Sequence, residues 1–148
     1  MEVRFAQESD WPVVLEYVRN FHKQSVYSDI PVTEDCHSLF QLILSQNMLV
    51  VVEDGNKVVG ICGGLVAPLP FNPKLTMAQE LFWWIEPEYR DGGAGKQLLE
   101  GYQLACKANG VALLFLSSLE GVEPEKADYI YKRYGFEKAE NVYAKKVK

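Results

Sequence analysis

Apolar residues recur with two different periods along this chain. Val3-Arg4-Phe5-Ala6 alternates like a short strand. Val14, Leu15, Val18 and Phe21 instead return at helical spacing, behind Ser9-Asp10 and Trp11-Pro12, a cap and early proline that open a helix. Leu39, Phe40, Leu42, Ile43 and Leu44 predict a second helix, begun by Thr33. Met48–Glu53 and Lys57–Cys62 are β-rich runs joined by Asp54-Gly55-Asn56, which predicts a hairpin. The second run continues to Ala67 and breaks at Pro68, Pro70 and Pro73, read here as a stiff apolar loop. Thr76–Ile85 is then a very aromatic strand that ends at Glu86-Pro87.

The remaining pattern alternates helix and strand. Leu98, Leu99, Tyr102, Leu104 and Ala105 outline a helix that stops near Asn109-Gly110. Val111–Leu116 is wholly apolar, as expected of a strand buried on both faces. Pro124–Tyr134 reads as a helix with proline in its first turn, closed by Gly135, and Phe136 with Asn141–Val147 supplies final strand material. The order β-α-α-β-β-β-α-β-α-β has no repeat and no linker. Hairpins come first and a strand-helix-strand crossover later, so an α+β (mixed α/β) fold with a mixed sheet is expected.

Bulk properties narrow the classes. At 148 residues the chain is the size of one domain (1–148) with a core of its own. A formal charge of −5 argues against non-specific nucleic-acid binding, which needs a basic face. Lys145, Lys146 and Lys148 are too few to reverse that and read as a solvated strand end. Three scattered cysteines, Cys36, Cys62 and Cys106, suggest neither a disulfide framework nor a metal site. The N-terminus is charged and polar, and no apolar run approaches a membrane span, so a soluble protein of the reducing cytoplasm is expected.

The candidate chemistry lies in Arg90-Asp91-Gly92-Gly93-Ala94-Gly95-Lys96, directly before the third helix. One glycine there would serve a sharp turn. Three in four positions ask for more. The dinucleotide fingerprint fails, because from Gly93 its third glycine falls on Leu98. The P-loop pattern fails too: Gly95-Lys96 is present, but Arg90 replaces the first glycine and Gln97 the hydroxyl that would hold magnesium. That leaves Arg90-x-x-Gly93-x-Gly95 between a strand and a helix, where unobstructed backbone N–H groups and the helix dipole can cradle a pyrophosphate without a metal.

Ile85–Leu99 closely resembles the acetyl-CoA-binding segment of the GNAT superfamily of N-acetyltransferases, and Ala127–Phe136 resembles its later motif, alanine and tyrosine on a helix that ends in Gly-Phe. The element order matches that fold from end to end: a central, mostly antiparallel twisted sheet flanked by about four helices. One departure stands out. Pro124 occupies a position where many relatives carry asparagine, a departure that touches one cofactor contact and not the family assignment.

The resemblance implies acetyl-CoA as acetyl donor, with its pantetheine arm on backbone groups around Trp84, Ile85 and Glu86. Its pyrophosphate would then lie on Arg90, Asp91, Gly92, Gly93, Ala94, Gly95 and Lys96. Tyr131 matches the tyrosine near the cofactor sulfur, where a phenol can return a proton to the leaving thiolate, although Tyr129 and Tyr134 lie close by. Glu80, on the strand before the loop, falls where some relatives carry a catalytic glutamate; Gln79 takes that place if a bulge shifts the register. Other relatives use only ordered water. His22 and His37 read as surface or capping residues, and Phe82-Trp83-Trp84 as largely core.

The expected activity is transfer of acetyl to a primary amine in a ternary complex, with no covalent intermediate and no metal. Cys62 and Cys106 read as inert core thiols. A rival is an acyl-CoA-binding regulatory module acting on a partner protein, which keeps the loop but needs no Tyr131. A third reading is an adaptor that binds a protein through exposed aromatics. The amine acceptor and the oligomeric state, a homodimer included, stay open.

Overall fold

The computed structural model describes residues 1–119 and 123–148. Five strands form one sheet in the order β1-β2-β3-β4-β5: β1 Glu2–Phe5, β2 Leu49–Asp54, β3 Lys57–Leu69, β4 Asn72–Ile85 and β5 Leu113–Phe115. The first four pair antiparallel, and β5 runs parallel to β4. Helices α1 (Trp11–Gln24) and α2 (His37–Ser45) come before β2, α3 (Ala94–Ala108) makes the β4-to-β5 crossover, and α4 (Pro124–Arg133) comes after β5. Parallel neighbours require such a crossover.

The core lies where α1, α2 and α3 meet the sheet. Val50, Val51, Val52, Val59 and Ile61 are buried in β2 and β3, against Val14, Phe40, Ile43, Leu98 and Tyr102 from the helices. The Asp54–Lys57 turn places Gly55 at φ +63, a conformation that glycine adopts freely.

Three expectations need correction. The Pro68–Pro73 segment is not a loop: β3 and β4 stay paired out to Leu69↔Asn72, leaving only Pro70 and Phe71 in the turn. Proline is tolerated because this hairpin tip projects past its neighbours, where a missing N–H breaks no central ladder. The run Val111–Leu116 is not buried on both faces. Only Leu113–Phe115 pairs with β4, and Leu113 is exposed. Phe136 and Asn141–Val147 join no strand: residues 136–148 run without ladder bonds, and Val142, Tyr143 and Val147 lie in solvent. Strand propensity describes a fit to a half-buried pleated surface, and no such surface meets this segment in the single chain.

Candidate active site

A bulge between Gly63 and Gly64 of β3 resets the pairing from Gly63↔Phe82 to Gly64↔Glu80. Gly64 is required there: a Cβ would lie 2.2 Å from both the Gln79 carbonyl oxygen and the Tyr102 hydroxyl. Beyond the bulge β4 continues to Ile85, while β5 pairs with it only as far as Gln79↔Phe115. The two parallel strands therefore diverge. The Glu86 N–H donates to Val59 O, and alternation then turns the backbone of Trp84 toward β3 and that of Trp83 and Ile85 toward the open gap.

Glu80 sits at the mouth of the divergence, only 5% exposed. The Ser117 N–H donates to its Oε2 at 3.1 Å, and Tyr131 donates its hydroxyl proton to Ser117 O at 2.7 Å. Gln79 Nε2 donates to Ser117 Oγ at 3.2 Å. One residue just past β5 thus holds the carboxylate through its amide, the phenol through its carbonyl and the amide side chain through its hydroxyl. Burial pushes the Glu80 carboxyl up to about 7, against the lowering effect of the Ser117 hydrogen bond. Burial also pushes the Tyr131 phenol well above its ordinary value, with the Glu80 charge adding to it. The phenol keeps its proton at neutral pH.

The glycine loop lies on the other side of the gap. Pro87–Tyr89 forms one 3-10 turn, and Gly93, at φ +86, caps α3. The first intrahelical acceptor is Gly93 O, taken by the Gln97 N–H. The N–H groups of Gly93, Ala94, Gly95 and Lys96 have no acceptor among the described residues, as the start of a helix dictates. Gly95 packs tightly, since a Cβ would meet Ile85 Cδ1 at 3.1 Å and Trp83 Cζ2 at 3.6 Å. Arg90 is held beside this row by three contacts: its Nε donates to Ile85 O at 2.9 Å, its guanidinium lies 4.7 Å from the Trp84 ring centroid, and Nη1 is 3.4 Å from Glu123 Oε2. Asp91 and Gly92 are exposed on the loop, and Lys96 is exposed in the first turn of α3.

A cleft of about 120 Å³ lies between the glycine loop, the end of β4 and α4, lined among others by Trp83, Ile85, Arg90, Gly95, Ala127 and Ile130. The Trp83 ring stacks on Tyr131 with centroids 5.9 Å apart, and its buried Nε1 has no hydrogen-bond partner among the described residues. A larger cavity, about 390 Å³, lies between α1 and the β2–β3 turn, lined by Tyr17, Lys57 and Glu86 but by neither Glu80 nor Tyr131. Glu80 and Tyr131 line neither cavity; the smaller is favoured because it brings Gly95 and Arg90 together with Trp83, whose ring stacks on Tyr131.

Of the residues predicted from sequence, Trp84, Ile85, Arg90 and Gly95 line this cleft, and Gly93, Ala94 and Lys96 adjoin Gly95; Tyr131 meets it through its stack on Trp83, and Glu80 is joined to Tyr131 through Ser117. Trp84 contributes its ring, and Glu86 accepts from Trp84 Nε1 at 3.3 Å. His22 Nε2–H donates to Tyr27 O, and His37 meets Glu8 on the surface, both away from the cleft. Ser117, Trp83, Ala127 and Ile130 joined the site only in three dimensions. The one sequence signal for Ser117 was its place just after a parallel strand, at the carboxyl end where crevices open. Cys62 is buried and Cys106 largely so, and burial pushes both thiols up, Cys106 to about 11. Among the described residues no cluster of His, Cys, Asp and Glu is placed to hold a metal ion, and no helix is long and apolar enough to cross a membrane.

The fold is similar to several solved structures. An acetyltransferase from Trypanosoma brucei is 19% identical, with 99% of each chain covered and a TM-score of 0.74. Glucosamine-6-phosphate N-acetyltransferase from Arabidopsis thaliana is 15% identical, covering 99% of this chain and 98% of that one, with a TM-score of 0.73. The enzyme AAC(6')-Iy, solved with a CoA-containing bisubstrate analogue, is 17% identical, covering 99% and 97% with a TM-score of 0.69. At such identities these likenesses establish the fold alone. No curated protein matches the sequence. The sequence profile of the acetyltransferase (GNAT) domain matches residues 45–138, which span β2 through α4 and so take in Glu80, the glycine loop, Ser117 and Tyr131. With that match over more than half its length, the chain belongs to the GNAT acetyltransferase family.

Proposed function

We propose that this protein is an N-acetyltransferase that moves an acetyl group from acetyl-CoA to a primary amine by direct transfer in a ternary complex. The observation that carries the reading is the Ser117 junction, which fixes a carboxylate and a phenol on one residue at the open end of the β4–β5 gap. The cleft suits a CoA-type donor: Arg90 and four amides without acceptors among the described residues meet the needs of a pyrophosphate, and the buried Trp83 Nε1 likewise lacks an acceptor there. Gly93, Ala94, Gly95, Lys96 and Arg90 would hold the diphosphate, and the Trp83 and Ile85 backbone the arm.

When bound, the donor supplies a thioester-activated acetyl group. The chain's own residues manage protons. Glu80, whose second carboxylate oxygen has no partner among the described residues, accepts the proton of the incoming ammonium once it is itself ionised. Tyr131 stays protonated and donates to the departing sulfur. Raised thiols at Cys62 and Cys106 disfavour a covalent acetyl-cysteine.

The test is thiol release from acetyl-CoA across a panel of amino sugars, amino acids and peptide N-termini, with mass detection of the acetylated product. At least one amine is expected to gain an acetyl group, and Tyr131→Phe to lower turnover about 10²-fold with KM for acetyl-CoA little changed. Tight acetyl-CoA binding with no product from any amine would favour the regulatory module, and full activity in Tyr131→Phe would remove the acid role.

A further inference from the structure

Ser117 stands where the β4–β5 ladder has ended. The last pair of that ladder is Gln79↔Phe115, and Ser117 itself makes no backbone–backbone hydrogen bond among the described residues. Side chains hold it instead. Its N–H donates to Glu80 Oε2 at 3.1 Å, its carbonyl accepts from the Tyr131 hydroxyl at 2.7 Å, and its Oγ accepts from Gln79 Nε2 at 3.2 Å. Ser118, next along, donates to Pro124 O and secures the chain that leads on to α4.

The three ties differ in what turnover does to them. Direct transfer has Glu80 take up a proton and Tyr131 give one away, so both change as hydrogen-bonding groups within each cycle. The Gln79 amide has no titrating proton and keeps its two donors throughout. Its base is fixed as well. Gln79 is paired on both sides, with Leu65 of β3 and Phe115 of β5, and its Nε2 donates a second time, to Glu80 O at 3.1 Å. A carbonyl oxygen only accepts, so that bond decides which end of the amide lies toward Ser117.

We propose that Gln79 is a positioning residue: its amide clamps Ser117 at the fork of β4 and β5, and through Ser117 it holds Glu80 and Tyr131 in place for proton transfer. Its part in turnover rests on the acetyl-transfer reading; its effect on the Glu80 carboxyl does not. Against the lift that burial gives that carboxyl, the Ser117 N–H is the one group among the described residues that lowers it. The titratable groups that face Glu80 are Cys62 of β3, Tyr102 of α3 and Tyr131 of α4, with Cys106 beside the first two. Burial keeps all four protonated at neutral pH. A loosened Ser117 therefore moves the Glu80 carboxyl in one direction, upward.

The Glu80 carboxyl carbon, followed by NMR in the isotope-labelled full chain and identified by its loss in Glu80→Gln, is expected to titrate at about 7. Gln79→Met, of similar length but with neither donor, is expected to raise that midpoint by about half a pH unit or more while the circular dichroism spectrum stays unchanged. Ser117→Ala keeps the amide and the carbonyl and removes only the hydroxyl. It is expected to match Gln79→Met, and the double variant to add little to either. In acetyl transfer, Gln79→Met is expected to lower kcat about tenfold with KM for acetyl-CoA nearly unchanged, and to move the pH profile with the carboxyl. An unmoved midpoint in both single variants overturns the clamp, and so do shifts that add in the double variant. A wild-type rate that ignores the Glu80 titration removes the base instead, and the midpoint shifts then still decide the clamp.

Discussion

Glu80 and Tyr131 are ordinary residue types whose surroundings give them unusual acidity. At 5% exposure the Glu80 carboxyl is lifted from 4.5 to about 7, so the folded protein prefers it protonated. Below pH 4.5 the group is neutral folded and unfolded and costs nothing; as pH rises from 4.5 to 7 the unfolded chain releases the proton first, and stability falls. Glu80→Gln keeps an acceptor for the Ser117 N–H and is expected to raise stability above pH 7 by up to about 3 kcal/mol, with little effect at pH 4, as urea unfolding at both pH values would check. The same variant is expected to lose the rise of kcat/KM with pH centred near 7 and about 10²-fold or more of activity. An unaltered profile would remove Glu80 as base. Motif position alone points to Glu80 and Tyr131 in the sequence. Only its place just past a parallel strand points to Ser117, because a residue that holds Glu80 and Tyr131 through its backbone amide and carbonyl leaves no mark of that in residue type.

Among the elements, the glycine loop and α3 were the most legible. Glycine spacing reports a backbone need that is local, and local needs survive in sequence. Contact with β4 then separates the glycines by role. Gly95 faces Ile85 and Trp83 closely, and Gly93 takes a left-handed φ that a side chain adopts only with strain. Gly95→Val is expected to weaken acetyl-CoA binding at least tenfold by calorimetry while lowering Tm only a few degrees, because the new methyls enter the rim of the cleft. Gly64→Val should instead prevent folding, since its Cβ would lie 2.2 Å from the backbone of β4 and from Tyr102. Equal effects of the two on Tm would refute the division. The β3–β4 hairpin misleads in the opposite direction. Its prolines signal a break, yet at a projecting tip they interrupt nothing.

At the scale of the whole molecule, long-range ties decide which elements share a site. Arg4 of β1 reaches Asp10 at 2.8 Å and Glu53 of β2 at 2.7 Å, joining the N-terminal strand, the start of α1 and the sheet edge. Its hydrogen bond holds the Asp10 carboxyl below the usual carboxylate range, so this stabilisation is present above the unfolded value of 3.8 and is lost as pH falls through the folded one. Arg4→Met is expected to cost about 1–2 kcal/mol at pH 7, a figure reduced for the partial exposure of Arg4, and nearly nothing at pH 2. Denaturant midpoints at the two pH values would check it, and a loss of equal size at both would contradict the pairing. The order of helices and strands through α4, the glycine loop between β4 and α3, and the family were determined by the sequence itself, because periodicity, caps and turn chemistry act between near neighbours. Tertiary structure alone decided that β5 leaves β4 after Gln79, that Ser117 joins Glu80 to Tyr131, and that Asn141–Val147 finds no strand partner among the described residues of its own chain. Strand pairing and carboxyl burial depend on surfaces far apart in the sequence, and only the folded chain brings those surfaces together or leaves them apart.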